Sequence, residues 1–189
     1  MKKLFAILAL LAFGVAQADT LLTTGISETK SRTTDQYSTT ANFHIFQDVA
    51  KDSLGNVQVD GLVTNAHNRT TQAITNGYEI GATQFINTGT FATPYVRLGY
   101  GIVEPSGHDN SYYTSGQVGT MISTGTPVSG FVDVTRGMGV QGSTGLGFTQ
   151  YRTAVSYALS KADSISLRRD WFRNDIKADM YTVTYGHSF

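Results

Sequence analysis

Alternation with a period of two recurs along this chain. Tyr37, Thr39, Ala41, Phe43, Ile45 and Val49 share one parity, and Ser38, Thr40, Asn42, His44 and Asp48 hold the other. Tyr78, Ile80, Ala82 and Ile86 oppose Gly77, Glu79, Gly81 and Thr83. Ala92, Val96, Leu98, Tyr100 and Ile102 oppose Thr93, Tyr95, Arg97 and Gly99. The stretches 151–159 and 181–189 repeat the pattern. Successive side chains of a strand point to opposite faces, so each segment reads as a strand with one apolar face and one polar or glycine face.

Tight-turn candidates fall at Asp52–Asn56, Asn87–Thr90, Thr124–Pro127 and Lys161–Asp163, spaced 34 to 37 residues apart. Between them lie longer polar segments at Thr29–Gln36, His67–Ile74, Glu104–Ser111, Met138–Ser143 and Asn174–Ala178. Short connections on one rim and long ones on the other are the asymmetry of an outer-membrane barrel, with short periplasmic turns and longer external loops. The repeat is one of hairpins, with no residue motif recurring in it. A tilted membrane strand takes roughly 9–11 residues, so ten strands use ~110 residues and leave room for nine connections. The expected fold is all-β, a closed antiparallel transmembrane barrel of ten strands. Eight is the alternative, and it requires one of the four turns to be something else. Strand one (about Leu21–Glu28) should pair with strand ten (about Asp179–Phe189), because an open edge cannot stand in hydrocarbon.

Composition agrees. Charged residues are 15% of 189, threonines number 26, and prolines 3, which suits pleated strands rather than solvated helices. Formal net charge is zero, which removes the electrostatic case for nucleic acid. The absence of cysteine excludes disulfide scaffolds and thiolate metal or redox sites. Residues 1–18 read as a secretory signal peptide. Lys2 and Lys3 precede an apolar core from Leu4 to Val15, and Ala16-Gln17-Ala18 forms an A-x-A cleavage site. Residues 19–189 then form a single barrel domain of formal charge −2.

The last residues, Tyr181, Val183, Tyr185 and Phe189, stand at alternate positions back from a terminal phenylalanine. This resembles the C-terminal assembly signal of Gram-negative outer-membrane β-barrels. Thr93-Pro94-Tyr95-Val96-Arg97-Leu98-Gly99-Tyr100-Gly101 is similar to a strand of small OmpA/OmpX-type barrels, and Ser156–Ser164 resembles the penultimate hairpin of porins. The resemblance is to the class, over residues 91–103 and 155–189. It implies export through the periplasm to the outer membrane. It also implies contact with periplasmic chaperones and barrel-assembly machinery on the way, and with outer-membrane lipid and lipopolysaccharide at the end. A soluble secreted β-sandwich is the rival architecture. It would need large residues turned inward throughout, whereas here one parity carries Glu, Asp and Arg.

The inward parity collects His44, Asp48, Asp60, Glu79, Arg97, Asp133, Arg152, Arg168 and Asp170. Mirrored about the turns, Glu79 should face Arg97, Arg152 should neighbour Asp170, Ser156 should lie near Arg168, and Asp48 should meet Asp60 as a like-charge pair that needs a cation or proton. These groups form either a charged eyelet in a narrow pore or a structural network filling the lumen. Tyr78, Tyr100, Tyr112, Tyr113, Trp171 and Phe172 read as a loop-side aromatic girdle, and Phe46, Phe85, Phe91 and Phe189 as a turn-side one. Parity also turns Arg169 to lipid, where it either snorkels to a rim or is moved by a bulge.

His108-Asp109-Asn110-Ser111 is the one His/Asp/Ser cluster, and loops are rich in these residues for turn-forming reasons alone. His44, His67, His108 and His187 lack ligand spacing. No metal, cofactor or catalytic residue is expected. Three functions remain: a non-enzymatic structural, adhesive or envelope role, a narrow porin-like channel for small polar solutes, and an enzyme with a rim site. Mass spectrometry of the exported protein should show Asp19 as the first residue; a retained segment 1–18 would refute the cleavage site.

Overall fold

The computed structural model describes residues 20–140, 146–174 and 177–189. Ala16 and Ala18 of the cleavage site lie outside the described residues. Ten strands follow one another: β1 Thr20–Ser31, β2 Tyr37–Lys51, β3 Asn56–Asn68, β4 Ile74–Phe85, β5 Ala92–Pro105, β6 Ser111–Ser123, β7 Val128–Val140, β8 Phe148–Ala158, β9 Asp163–Asn174 and β10 Ala178–Ser188. Each pairs antiparallel with the next, and β1 pairs with β10 from Leu21↔Ser188 to Ser31↔Ala178, closing the barrel. The count is ten, not eight.

The strands are longer than the hydrocarbon demands, up to 15 residues in β2. They absorb the start of the expected loops: β1 runs to Ser31, β3 to Asn68 and β5 to Pro105. The connections left on that rim include 32–36, 69–73 and 106–110, against 52–55, 86–91, 124–127 and 159–162 on the other. Among the fully described connections, the expected difference between long and short rims therefore nearly vanishes. Thr, Ser and Asn at these strand ends favour neither face, and pairing satisfies their backbone as well as water would.

Two turns share a motif that the sequence reading missed. Thr88-Gly89-Thr90 and Thr124-Gly125-Thr126 place glycine at φ 67° and 69°, a conformation that side chains resist. In each, the paired threonine hydroxyls lie 2.7 and 2.6 Å apart. In each, the first hydroxyl also donates to a carbonyl four residues on, at 2.6 Å to Ala92 O and to Val128 O. The hairpin repeat thus carries a recurring hydroxyl clasp.

Burial is inverted relative to a water-soluble protein. The buried apolar residues are Tyr95, Ala154 and Ala178, while Asp60, Asp133, Asp170, Gln117 and Thr182 are all buried. Leu98 is 73% exposed, and Ile26 and Leu167 63%. A continuous apolar exterior of this kind suits hydrocarbon, and a polar interior suits a lumen. That arrangement excludes the sandwich, whose core would be apolar.

At the β2–β3 turn the Asp52 carboxylate accepts the backbone N–H groups of Gly55 and Leu54, both at 2.9 Å. These donors favour the charged form and hold Asp52 below the usual carboxylate range. A depressed folded value means that the contribution is present above the unfolded pKa and is lost as pH falls through the folded one. Thermal unfolding of Asp52→Ala should therefore lie below the parent at neutral pH, and the gap should close on acidification below about pH 4. A gap that widens in acid would contradict this.

Candidate functional site

The lumen is built on missing side chains. Gly81, Gly99 and Gly101 lie on the inward parity of β4 and β5, and a Cβ on Gly81 or Gly99 would collide with the Arg97 guanidinium. Over this bare floor Arg97 reaches from β5 across β4 to Asp60 on β3. Its Nε donates to Asp60 Oδ1 at 2.9 Å and its Nη2 to Oδ2 at 2.5 Å. Its Nη1 donates to Glu79 Oε1. His44 Nε2 lies 3.0 Å from Asp60 Oδ2, and the Tyr113 hydroxyl donates to Glu79. In register, Glu79 stands opposite Gly101 and Arg97 opposite Thr83. The expected ion pair forms, but from four residues out of register rather than face to face, because the intervening glycines leave the path clear.

A second knot centres on Asp133. Arg152 Nε donates to Oδ1 at 2.7 Å, and Oδ2 accepts the Tyr95 hydroxyl at 2.7 Å and Gln117 Nε2 at 3.2 Å. A third centres on Asp170, which accepts Gln150 Nε2 at 2.8 Å and Arg168 Nε at 3.0 Å. Arg152 is opposite both Asp133 and Asp170 in register. Its ion pair is with Asp133, and Asp170 is held by Arg168, two residues before it on the same face. Arg168 stands opposite Ala154, with Ser156 its diagonal neighbour as expected. The expected Arg152–Asp170 pair is thus replaced by two separate ones. The side chains of Asp60, Asp133 and Asp170 are all 0% exposed.

Asp48 stays apart from this network. It faces Gln58, while Asp60 faces Phe46. Its carboxylate accepts Asn56 Nδ2 at 3.1 Å and Gln58 Nε2 at 3.0 Å. The expected Asp48–Asp60 contact is not formed, and neither carboxylate depends on a shared cation or proton.

Several aromatics expected in the lipid-facing girdles belong to the lumen. Phe46 shares the parity of His44, with ring centroids 3.8 Å apart. Phe85 packs on Tyr95 at 5.7 Å, toward the turn rim. At the loop rim Tyr113, Phe148 and Phe172 form a chain at 6.0 and 6.1 Å. Apolar rings thus cap the charged midsection from both ends. Parity carried this signal: Phe46 is two residues from His44, and Phe172 two from Asp170. Tyr100 and Tyr112, 6.4 Å apart, remain on the outward face.

On the exterior, Arg169 keeps its outward parity and lies 4.6 Å from the Trp171 ring and 5.4 Å from that of Tyr181. It snorkels toward the loop rim; the shift of register among the described pairings lies in β2, between Asp48 and Ala50. Of the terminal residues, Tyr181, Val183, Tyr185 and Phe189 are all exposed. The Tyr185 hydroxyl and His187 Nδ1 both engage Asp163, at 2.5 and 2.8 Å, tying β10 to the β8–β9 turn. Phe189 N donates to Thr20 O at 3.0 Å. His108 and Asp109 are exposed in the 106–110 connection, whereas Ser111 opens β6 opposite Val103. Among the described residues no three His, Asp or Glu side chains converge as a metal site.

No protein-family model and no curated protein matches the sequence. Solved structures match the fold. The chain is similar to the beta domain of the Bordetella autotransporter Brka, with TM-score 0.53 and 11% identity over 91% of this chain and 99% of that one. It is also similar to an outer membrane channel from Pseudomonas putida F1, with TM-score 0.50 and 9% identity over 91% and 95% of the two chains. At such identities the shared feature is the barrel.

Asp60→Ala should destabilise the barrel by roughly 1.5–3 kcal/mol, because it removes two charge-assisted hydrogen bonds while Glu79 still pairs Arg97. Asp48→Ala, with wet neutral partners, should cost under about 1 kcal/mol. Urea unfolding in lipid vesicles, followed by tryptophan fluorescence, measures both. A double-mutant cycle should give a larger coupling for Asp133 with Arg152 than for Arg152 with Asp170; the reverse order would refute the pairing.

Proposed function

We propose that this chain is an integral outer-membrane protein with a structural role in the cell envelope, and that its lumen does not conduct. One observation carries the reading: three carboxylates without solvent exposure, each held by an arginine, occupy the midsection of the lumen. A selectivity eyelet works by presenting charges to water and passing ions. Fully covered carboxylates, matched by arginines that are only 10–26% exposed, offer little such surface. Ten strands lie near the size at which side chains fill the interior, and the aromatic layers above and below narrow it further.

The exported location is supported by the signal-like residues 1–18, the alternating apolar end of β10 and the apolar exterior. The described ends of the chain, Thr20 and Phe189, meet at the turn rim. We read the turn rim, with its tight turns at 52–55, 124–127 and 159–162, as the periplasmic one, and the loop rim as facing outward against lipopolysaccharide once chaperones and the assembly machinery have delivered the chain. The described connections run four to six residues, which leaves little to wall a substrate cleft, and we read His108 and Ser111 as having no catalytic role.

The refolded protein in planar bilayers should give no stable single-channel steps, and it should fractionate with the outer membrane as a heat-modifiable band. Large stable steps would move the function to a channel. Turnover of lipid A, phospholipid or peptide that is lost in His108→Ala would move it to an enzyme.

A further inference from the structure

Among the described residues, the outward face of β7–β10 near the loop rim carries more arginine than carboxylate. Arg136, Thr149 and Arg173 lie in one cross-strand row, and both arginines are exposed. Arg136 Nη1 donates to Thr149 Oγ1 at 2.9 Å. Below the row stand Trp171 and, two residues before it on β9, Arg169. The carboxylate on this face, Asp179, is already occupied: Arg32 grips it through Nε at 2.5 Å and through Nη2. Arg169 Nη2 makes only a long ion pair with it, at 4.0 Å, and Arg173 lies within its electrostatic reach. Among the described residues, then, three arginines share a patch whose one acid is held at close range by Arg32.

We propose that this patch binds the phosphate groups of lipid A, the phosphorylated glycolipid of the outer leaflet. The inference rests on the reading of the loop rim as the outer one. Guanidinium groups match phosphate oxygens in pairs and keep their charge in a membrane interface. The location selects a lipid over a free anion. Arg169 stands on the lipid-facing parity with its head against two aromatic faces, the setting in which an arginine reaches for the headgroup layer. Without an anion from the lipid, Arg136, Arg169 and Arg173 would repel one another across a low-dielectric boundary.

Trp171 is the only tryptophan of the chain and stands inside the patch, so its fluorescence reports on the site directly. Purified barrel in neutral detergent micelles is titrated with lipid A, with chemically dephosphorylated lipid A and with inorganic phosphate. Lipid A should change the emission saturably. Dephosphorylated lipid A and millimolar inorganic phosphate should not. The triple variant Arg136→Gln, Arg169→Gln, Arg173→Gln should weaken binding at least tenfold. Arg69→Gln, whose arginine pairs with Glu28 on β1, should stay within twofold of the parent. If the triple variant fails to migrate as a heat-modifiable barrel, Arg136→Gln and Arg173→Gln alone, each on an exposed side chain, should weaken binding about threefold. Equal response to dephosphorylated lipid A, full competition by inorganic phosphate, or unchanged binding by the variants overturns the proposal. Because the titration uses purified protein, absence from outer-membrane fractions would sink the parent reading alone. A silent titration with the protein in those fractions would sink this one alone.

Discussion

Hydrocarbon offers no partner to a backbone N–H or C=O, and that constraint organises the whole molecule. A sheet in such a solvent must have no edge. The eleven pairs between β1 and β10 join residues 147 to 167 positions apart and finish the ring. Closure then divides space into two solvents. The outer parity meets lipid and becomes apolar; the inner parity meets whatever the ring can enclose.

What the ring encloses is charge. Burying an ion costs several kcal/mol even after relaxation, and a single pairing repays this only with good geometry and further hydrogen bonds. The three inner carboxylates meet that requirement in similar ways. Each has an arginine plus at least one neutral or histidine donor: His44 for Asp60, Tyr95 and Gln117 for Asp133, Gln150 for Asp170. Glycine is the companion of this chemistry, because a guanidinium lying flat on a sheet needs positions with no side chain.

The alternation of apolar and polar residues makes the strands legible, since period two survives whatever the partner strand is. Strand number follows from turns rich in Gly, Asn, Asp and Pro, and the parity of each charged residue follows from the strand it sits on. Partner choice does not follow in the same way. A turn centre misjudged by a residue shifts every cross-strand pair, and a side chain as long as Arg97 ignores the register wherever Gly81 and Gly99 leave a path. Loop boundaries are obscured for another reason: threonine and serine serve equally in a strand end and in a loop. The lumen aromatics were hidden by their closeness to the rims, where Phe46 or Tyr113 on either parity resembles a girdle residue.

Arg97 stands on β5 and its carboxylate on β3, so their link passes over β4 and spans two inter-strand spacings, about 9–10 Å of sheet. It acts as a chord inside a hoop. Flattening the hoop would stretch or shorten that chord and pull a guanidinium from a dry carboxylate, so the cross-section resists becoming oval. The surrounding bilayer is the softer body. Where the apolar band and the local membrane differ in height, the lipid must thicken or thin around a wall that keeps its shape.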